Sequence, residues 1–187
     1  RFLQQLLLME IDGTLEEEFA ARFQQLTGPA LAKGIEDTAF YRYFRLTALN
    51  EVGGSPVQWG YSVQQFHDWC IDAKATRPYS LLATSTHDTK RSEDVRARLL
   101  VLGEVAKMWA DTSKHWQQLN TRHRSARVDA NTEYLYYQTL VGAWPIDVER
   151  ITAYMEKAAR EAKLHTDWGR MDETYETDLR TFISRTM

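Results

Sequence analysis

The chain has 187 residues, 43% of them hydrophobic, 12% aromatic and 26% charged, an ordinary globular balance with room for one large domain or two small ones. A formal net charge of −3 gives no pull toward nucleic acid or an anionic membrane surface, and no apolar run approaches the ~18 residues that mark a membrane-spanning helix. One cysteine, Cys70, excludes an internal disulfide; with an opening "RFLQQLLLM" too short and too poor in small residues for a signal peptide, it leads to the expectation of a cytoplasmic protein.

Helical periodicity dominates the first part of the chain. Thr14-Leu15-Glu16-Glu17 has the form of a capping box, and Leu15, Phe19 and Phe23 follow at four-residue spacing, which predicts a helix from about Leu15 to Leu26 stopped by Gly28-Pro29. A second helix is predicted from Thr38 to Glu51, closed by Gly53-Gly54. Ser62 and Gln65 form another capping-box pair, and Phe66, Trp69, Cys70 and Ala73 make an apolar stripe on a third helix, with Cys70 read as core.

The pattern then changes. "YSLLATS", Tyr79 to Ser85, reads as a short β-strand. A lone strand cannot satisfy its backbone groups, so this reading implies partners outside the chain. Helical spacing returns from Ser92 through Val95, Leu99, Leu102, Ala106 and Trp109, with a further helix over Asp111 to Asn120. "NTRHRSARVDAN" reads as a mobile polar loop. Three more helices follow: Thr132 to Val141, Val148 to Leu164 capped by Asp147, and Met171 to Ser184. The expected fold class is mainly α (α+β).

His87-Asp88 lies where the expected strand gives way to a helix, the position at which α/β proteins collect ligands and catalytic groups. Glu93 and Asp94 fall in the first turn of that helix and suit its dipole without further purpose. Asp88 precedes the helix and is not needed as its cap while Ser92 is present. His87, Asp88, Lys90 and Arg91 form a hydrogen-bonding cluster suited to sugar hydroxyls. A metal-dependent phosphohydrolase would hold a His-Asp pair inside a helix; His67, His115, His123 and His165 lie at no ligand-like spacing from one another, so no metal site is expected. In "GPALAKGIEDTAFYRY", Gly28-Pro29 and Gly34 bracket a loop carrying Lys33, followed by Glu36, Asp37 and Tyr41. Helix-capping acids and a binding lip are both open readings of this cluster. The six Trp and nine Tyr fit either packing or sugar stacking.

Four blocks, "TGPALAKGIEDTAFYRYFRLTALNEVGG", "LLATSTHDTKRSEDVRARLLVL", "EYLYYQTLVGAWP" and "AAREAKLHTDW", resemble consecutive blocks of the maltooligosyl trehalose synthases, a family of the α-amylase clan of (β/α)8 barrels. The likeness runs from about Phe19 onward. It implies intramolecular transglucosylation, converting the reducing-end α-1,4 linkage of a maltooligosaccharide to α,α-1,1, with no cofactor and a maltodextrin as substrate. It also implies that Asp88 is the clan's third catalytic carboxylate, that His87 binds a sugar hydroxyl beside it, and that Lys90, Arg91, Lys33, Glu36, Asp37 and Tyr41 line the same pocket.

Blocks resembling the family's nucleophile Asp and acid/base Glu do not occur in these residues, and a whole barrel needs about 250 residues. The expectation is therefore a C-terminal portion of such an enzyme, inactive alone and partnered by the remainder of the same enzyme chain. Its three segments would be 1–77, helical with the Lys33/Glu36/Asp37 loop; 78–110, a late barrel strand, the His-Asp loop and the following helix; and 111–187, a helical C-terminal segment. The alternatives are a helical oligosaccharide-binding module without chemistry and the phosphohydrolase.

Overall fold

Short polar side chains start the helices where the sequence places them. In the computed structural model, which describes residues 1–187, the Ser62 hydroxyl accepts from the Gln65 amide while the Gln65 side chain accepts from the Ser62 amide. Asp129, Asp147 and Asp172 cap three later helices in the same manner. Eight α-helices result: α1 (Phe2–Leu7), α2 (Thr14–Ile35), α3 (Val63–Thr76), α4 (Glu93–Glu104), α5 (Ala106–Asn120), α6 (Ala130–Ala143), α7 (Val148–Ala162) and α8 (Glu173–Thr186). Three 3₁₀ turns complete the secondary structure, and there is no strand.

Several sequence expectations are corrected. The Thr14 capping box does not form, because Gly13 is the N-cap residue and Thr14 opens the helix. α2 then runs through Gly28-Pro29 to Ile35. Proline removes one backbone donor there, and on this exposed stretch the freed carbonyl is left to water. Lys33 consequently sits in the last turn of a helix and not in a glycine-bracketed loop. The expected strand at Tyr79 to Ser85 is irregular, with Tyr79 97%, Leu81 99% and Leu82 83% exposed. No neighbouring strand is present to pair with it, and an unpaired strand has nothing to hold its backbone. The α+β element of the expected fold is thus replaced by an all-helical chain. Cys70 is half-buried rather than core, because the α3 face it shares with Phe66 and Trp69 is uncovered.

The expected helix from Thr38 to Glu51 is also absent. In its place are two single turns, Ala39–Tyr41 and Thr47–Leu49, linked by extended chain. Side chains hold this conformation in place of helical hydrogen bonds. The fully buried Gln138 of α6 accepts from the Thr47 amide at 2.9 Å and its hydroxyl at 3.0 Å, and donates to the Phe44 carbonyl at 2.6 Å. Buried Asn50 donates to the carbonyls of Phe40 (2.9 Å) and Tyr43 (2.6 Å). Backbone groups that a helix would pair internally are thus satisfied while Phe40, Phe44 and Leu46 are buried.

One core unites this segment with α4 to α8, through Phe44, Leu46, Leu99, Tyr136, Ile151, Leu179 and their neighbours. α4 lies close on α6: a methyl group placed on Gly142 would come within 2.9 Å of Val95 Cγ1. The polar loop after α5 is pinned, not mobile. Arg124 donates to Glu133 at 2.8 Å, Ser125 to Asp178 at 2.8 Å, and Val128 is buried. α7 and α8 are joined by the two-point pair of Arg160 with Glu176, at 2.8 and 2.7 Å, and Thr166 donates to the same carboxylate at 2.9 Å.

Replacing Gln138 by Leu leaves the Thr47 amide and the Phe44 carbonyl without partners in the core. Urea unfolding is expected to show a loss of about 3 kcal/mol. The Arg160 hydrogen bond holds the Glu176 carboxyl below its ordinary value of 4.5, so its stabilisation is full above that value and declines as pH falls through the depressed one. Arg160→Met strands the buried carboxylate, an expected loss of about 3 kcal/mol near neutral pH, and flattens the acid limb of a stability-versus-pH curve.

Candidate functional site

The stretch before α4 is fastened to the 36–51 segment by one carboxylate. Glu51 accepts from the backbone amides of Lys90 at 2.7 Å and Arg91 at 3.1 Å through its two oxygens, and Oε1 also takes the Val52 amide at 2.9 Å. Two consecutive amides gripped by one carboxylate fix both position and orientation of the chain just after Asp88. The side chains of that stretch then reach back. Lys90 Nζ bonds Asp37 at 2.6 Å and lies 5.9 Å over the Tyr41 ring. Arg91 donates to the Thr47 carbonyl at 3.1 Å and to the Tyr154 hydroxyl of α7 at 2.7 Å.

Asp37 is the shared acceptor of two ammonium groups, Lys33 on its α2 side and Lys90 on the other. The hydrogen bond from Lys33, and then that from Lys90, hold its carboxyl below the ordinary range, and the same contact raises Lys33. Tyr41 is buried, and desolvation with the nearby Tyr154 pushes its phenol up to about 12, so it stays a neutral donor. Glu36 lies at the edge, accepting from the Gly53 amide at 3.1 Å.

The sequence-selected residues therefore fall into two groups. Lys33, Asp37, Tyr41, Lys90 and Arg91 meet around one polar centre, with Glu36 beside it. His87 and Asp88 point outward from a turn at its rim. Their side chains are 91% and 69% exposed, and they contact each other at 3.2 Å between His87 Nε2 and Asp88 Oδ2. The Asp88 amide is held by the Thr86 hydroxyl at 3.3 Å. The opening of α4 is tied into the same turn, with Thr84 bonding Glu93 and Arg96 bonding the Thr84 carbonyl. No group of three or more His, Cys, Asp or Glu side chains is arranged to hold a metal ion. Glu51 and Tyr154 escaped the sequence reading. Glu51 looks like the end of a helix, and Tyr154 like one member of an apolar stripe. No helix is long and apolar enough to cross a membrane.

No family model matches the chain. Known proteins do. The maltooligosyltrehalose synthase of Arthrobacter ramosus superimposes with a TM-score of 0.81 at 44% identity, over 88% of this chain and 21% of its own. A Sulfolobus tokodaii structure described as a hypothetical maltooligosyl trehalose synthase gives 0.76 at 37% identity, over 91% of this chain and 23% of that one. A Mycobacterium tuberculosis (strain H37Rv) protein provisionally given that name is 40% identical over 173 residues, 89% of this chain and 22% of its own length. The chain is homologous to one segment of the maltooligosyl trehalose synthases. It spans about a fifth of the length of the relatives it matches. The fold and these likenesses together establish an all-helical chain similar to one segment of the maltooligosyl trehalose synthases.

Asp37→Asn removes the charge that holds both lysines. Hydrogen exchange at the Lys90 and Arg91 amides is expected to speed several-fold, with less change in α6 to α8. In the parent protein, the protection of these amides, taken relative to intrinsic exchange at each pH, should fall on acidification through the depressed Asp37 value, because this carboxylate's contribution is present at higher pH and lost on protonation.

Proposed function

We propose that this chain is the C-terminal portion of a cytoplasmic maltooligosyl trehalose synthase, supplying one wall of its active site and not the whole of it. The complete enzyme would move the reducing-end glucose of a maltodextrin from an α-1,4 to an α,α-1,1 linkage, within the enzyme and without a cofactor. A retaining transfer of this kind needs a nucleophilic carboxylate and a proton-donating carboxylic acid on either side of the bond. In this reading both come from the remainder of the enzyme, as do the strands that complete a (β/α)8 barrel and pair with the stretch around Leu81.

Asp88 is assigned as the third carboxylate. It binds sugar hydroxyls and favours the distorted, positively charged transition state, with His87 as hydroxyl ligand beside it. Lys90, Arg91, Lys33, Glu36, Asp37 and Tyr41 form the polar centre that receives the sugar end. The observation that carries this reading is the clamp of Glu51 on the amides of Lys90 and Arg91. It holds the outward-facing His87-Asp88 turn at a fixed place on a helical base, within a segment that matches the synthases over nearly its whole length.

The exposure of Asp88 suits a group that faces substrate once the rest of the enzyme is present. His87 and Asp88 sit in a turn and not within a helix, which counts against a phosphohydrolase that holds its His-Asp pair on one. A non-catalytic sugar-binding module would bind maltooligosaccharides equally well with Asn at 88.

The test is Asp88→Asn in the complete enzyme, assayed on maltopentaose. The expected result is a fall in kcat of about 10³-fold with an unchanged circular dichroism spectrum and melting temperature. Near-normal turnover would remove Asp88 from the chemistry. The isolated chain, mixed with maltopentaose and followed by proton NMR, should show no α,α-1,1 anomeric signal.

A further inference from the structure

We infer that Glu51 is a positioning residue for Asp88, acting through the backbone rather than by touching substrate; this rests on the role proposed for Asp88. The Glu51 carboxylate lies in a different stretch of chain from the turn, 39 and 40 residues before the two amides it grips, at 2.7 and 3.1 Å. It is the contact that ties the backbone of the His87-Asp88 turn to the 36–51 segment. The other links to that segment and to α7 run through long side chains and hold the backbone less directly: Lys90 to Asp37, and Arg91 to Thr47 and Tyr154. On the N-terminal side, the Asp88 amide meets the Thr86 hydroxyl at 3.3 Å, Thr89 bonds the Thr86 carbonyl, and Thr84 is bonded to Glu93 and Arg96 of α4; all of these contacts stay within the turn and the helix that follows it. The direction in which Asp88 projects relative to the 36–51 segment is therefore set by the Glu51 grip two and three residues later.

The base of the grip is firm. The backbone just before Glu51 is fixed by buried Asn50, whose side chain donates to Phe40 and Tyr43, and by Thr47, which is tied to Gln138. Glu51 thus transmits the order of the buried core to an exposed turn. Two parallel acceptors are required, because two adjacent amide donors must be met together. A glutamine has the right length but offers one acceptor, and it turns its own NH₂ toward the second amide, a donor facing a donor. An aspartate keeps both acceptors on a stem one carbon shorter and restores the grip in part.

A positioning role and a merely structural one differ in how they combine with loss of Asp88. The experiment compares Glu51→Gln, Glu51→Asp, Asp88→Asn and the Glu51→Gln/Asp88→Asn double variant in the complete enzyme, measuring kcat and KM on maltopentaose. The expected result is a fall in kcat of about tenfold or more for Glu51→Gln, corresponding to the misplacement of a reacting group by a fraction of an ångström to an ångström. Glu51→Asp should recover part of it, with the melting temperature of both variants close to the parent. In the Asp88→Asn background, Glu51→Gln should lower the residual kcat by less than about twofold, because the group it positions is already gone.

Equal fold-losses in both backgrounds would overturn the proposal, since they mark a general structural effect. A normal kcat for Glu51→Gln beside a crippled Asp88→Asn would overturn it while leaving the role of Asp88 intact. Near-normal turnover of Asp88→Asn by itself fails the underlying assignment first, whatever Glu51→Gln does.

Discussion

The hydrogen bonds of Gln138 are the constraint on which the rest of this chain depends. A side-chain amide buried in the middle of α6 takes the place of a helix, accepting from Thr47 and donating to Phe44. Without that substitution the 40–50 segment could not enter the core in an open conformation, because its backbone donors and acceptors would be stranded. With it, Phe40 and Leu46 are anchored on one side while Glu51 and Asp37 are presented on the other. The polar centre is thus built on an apolar floor, and its geometry follows from one amide at its root.

The arrangement separates two kinds of order. α4 to α8 share a continuous core and are held by buried ion pairs and aromatic contacts, such as Trp116 of α5 edge-on to Tyr137 of α6 at 5.3 Å. The turn bearing His87 and Asp88 has no core of its own. It is ordered by reach, through Glu51, Asp37 and Tyr154, from groups that the bundle has already fixed. In the role proposed for Asp88, a carboxylate carried in this way can be exposed to solvent without being free to wander. That combination suits a group that must meet a hydrated sugar.

Several features that depend on nearby residues were legible in the sequence. Asp147 marked the start of α7 and the Ser62-Gln65 pair that of α3, whereas the Thr14 capping box and the Gly28-Pro29 stop did not hold. Features that depend on distant partners were not. The segment from Thr38 to Glu51 has good helical periodicity, and the residue that overrides it lies some ninety positions away in α6. The strand expected at Leu81 and Leu82 fails for the complementary reason, since its apolar pattern is real but the sheet it would join is not in the chain. The polar residues were legible as two separate groups, Lys33, Glu36, Asp37 and Tyr41 in one and His87, Asp88, Lys90 and Arg91 in the other, and only the family resemblance joined them. Their fastening by Glu51 was hidden, because a glutamate before a glycine pair has a common and sufficient explanation as a helix end.

The uncovered face of α3 bears on how such a segment fares without the remainder of an enzyme around it. Phe66 and Trp69 are 58% and 48% exposed, and Leu81 and Leu82 stand beside them with almost no cover. In water this strip is a recognition mark for holdase chaperones and proteases, and a nucleus for clumping with other copies. The bundle of α4 to α8 gathers its apolar side chains into one core, whereas this strip joins none. In an enzyme of the kind proposed, the remainder of the chain would sheathe that strip, and stability measured on the bundle alone would overstate that of the segment by itself.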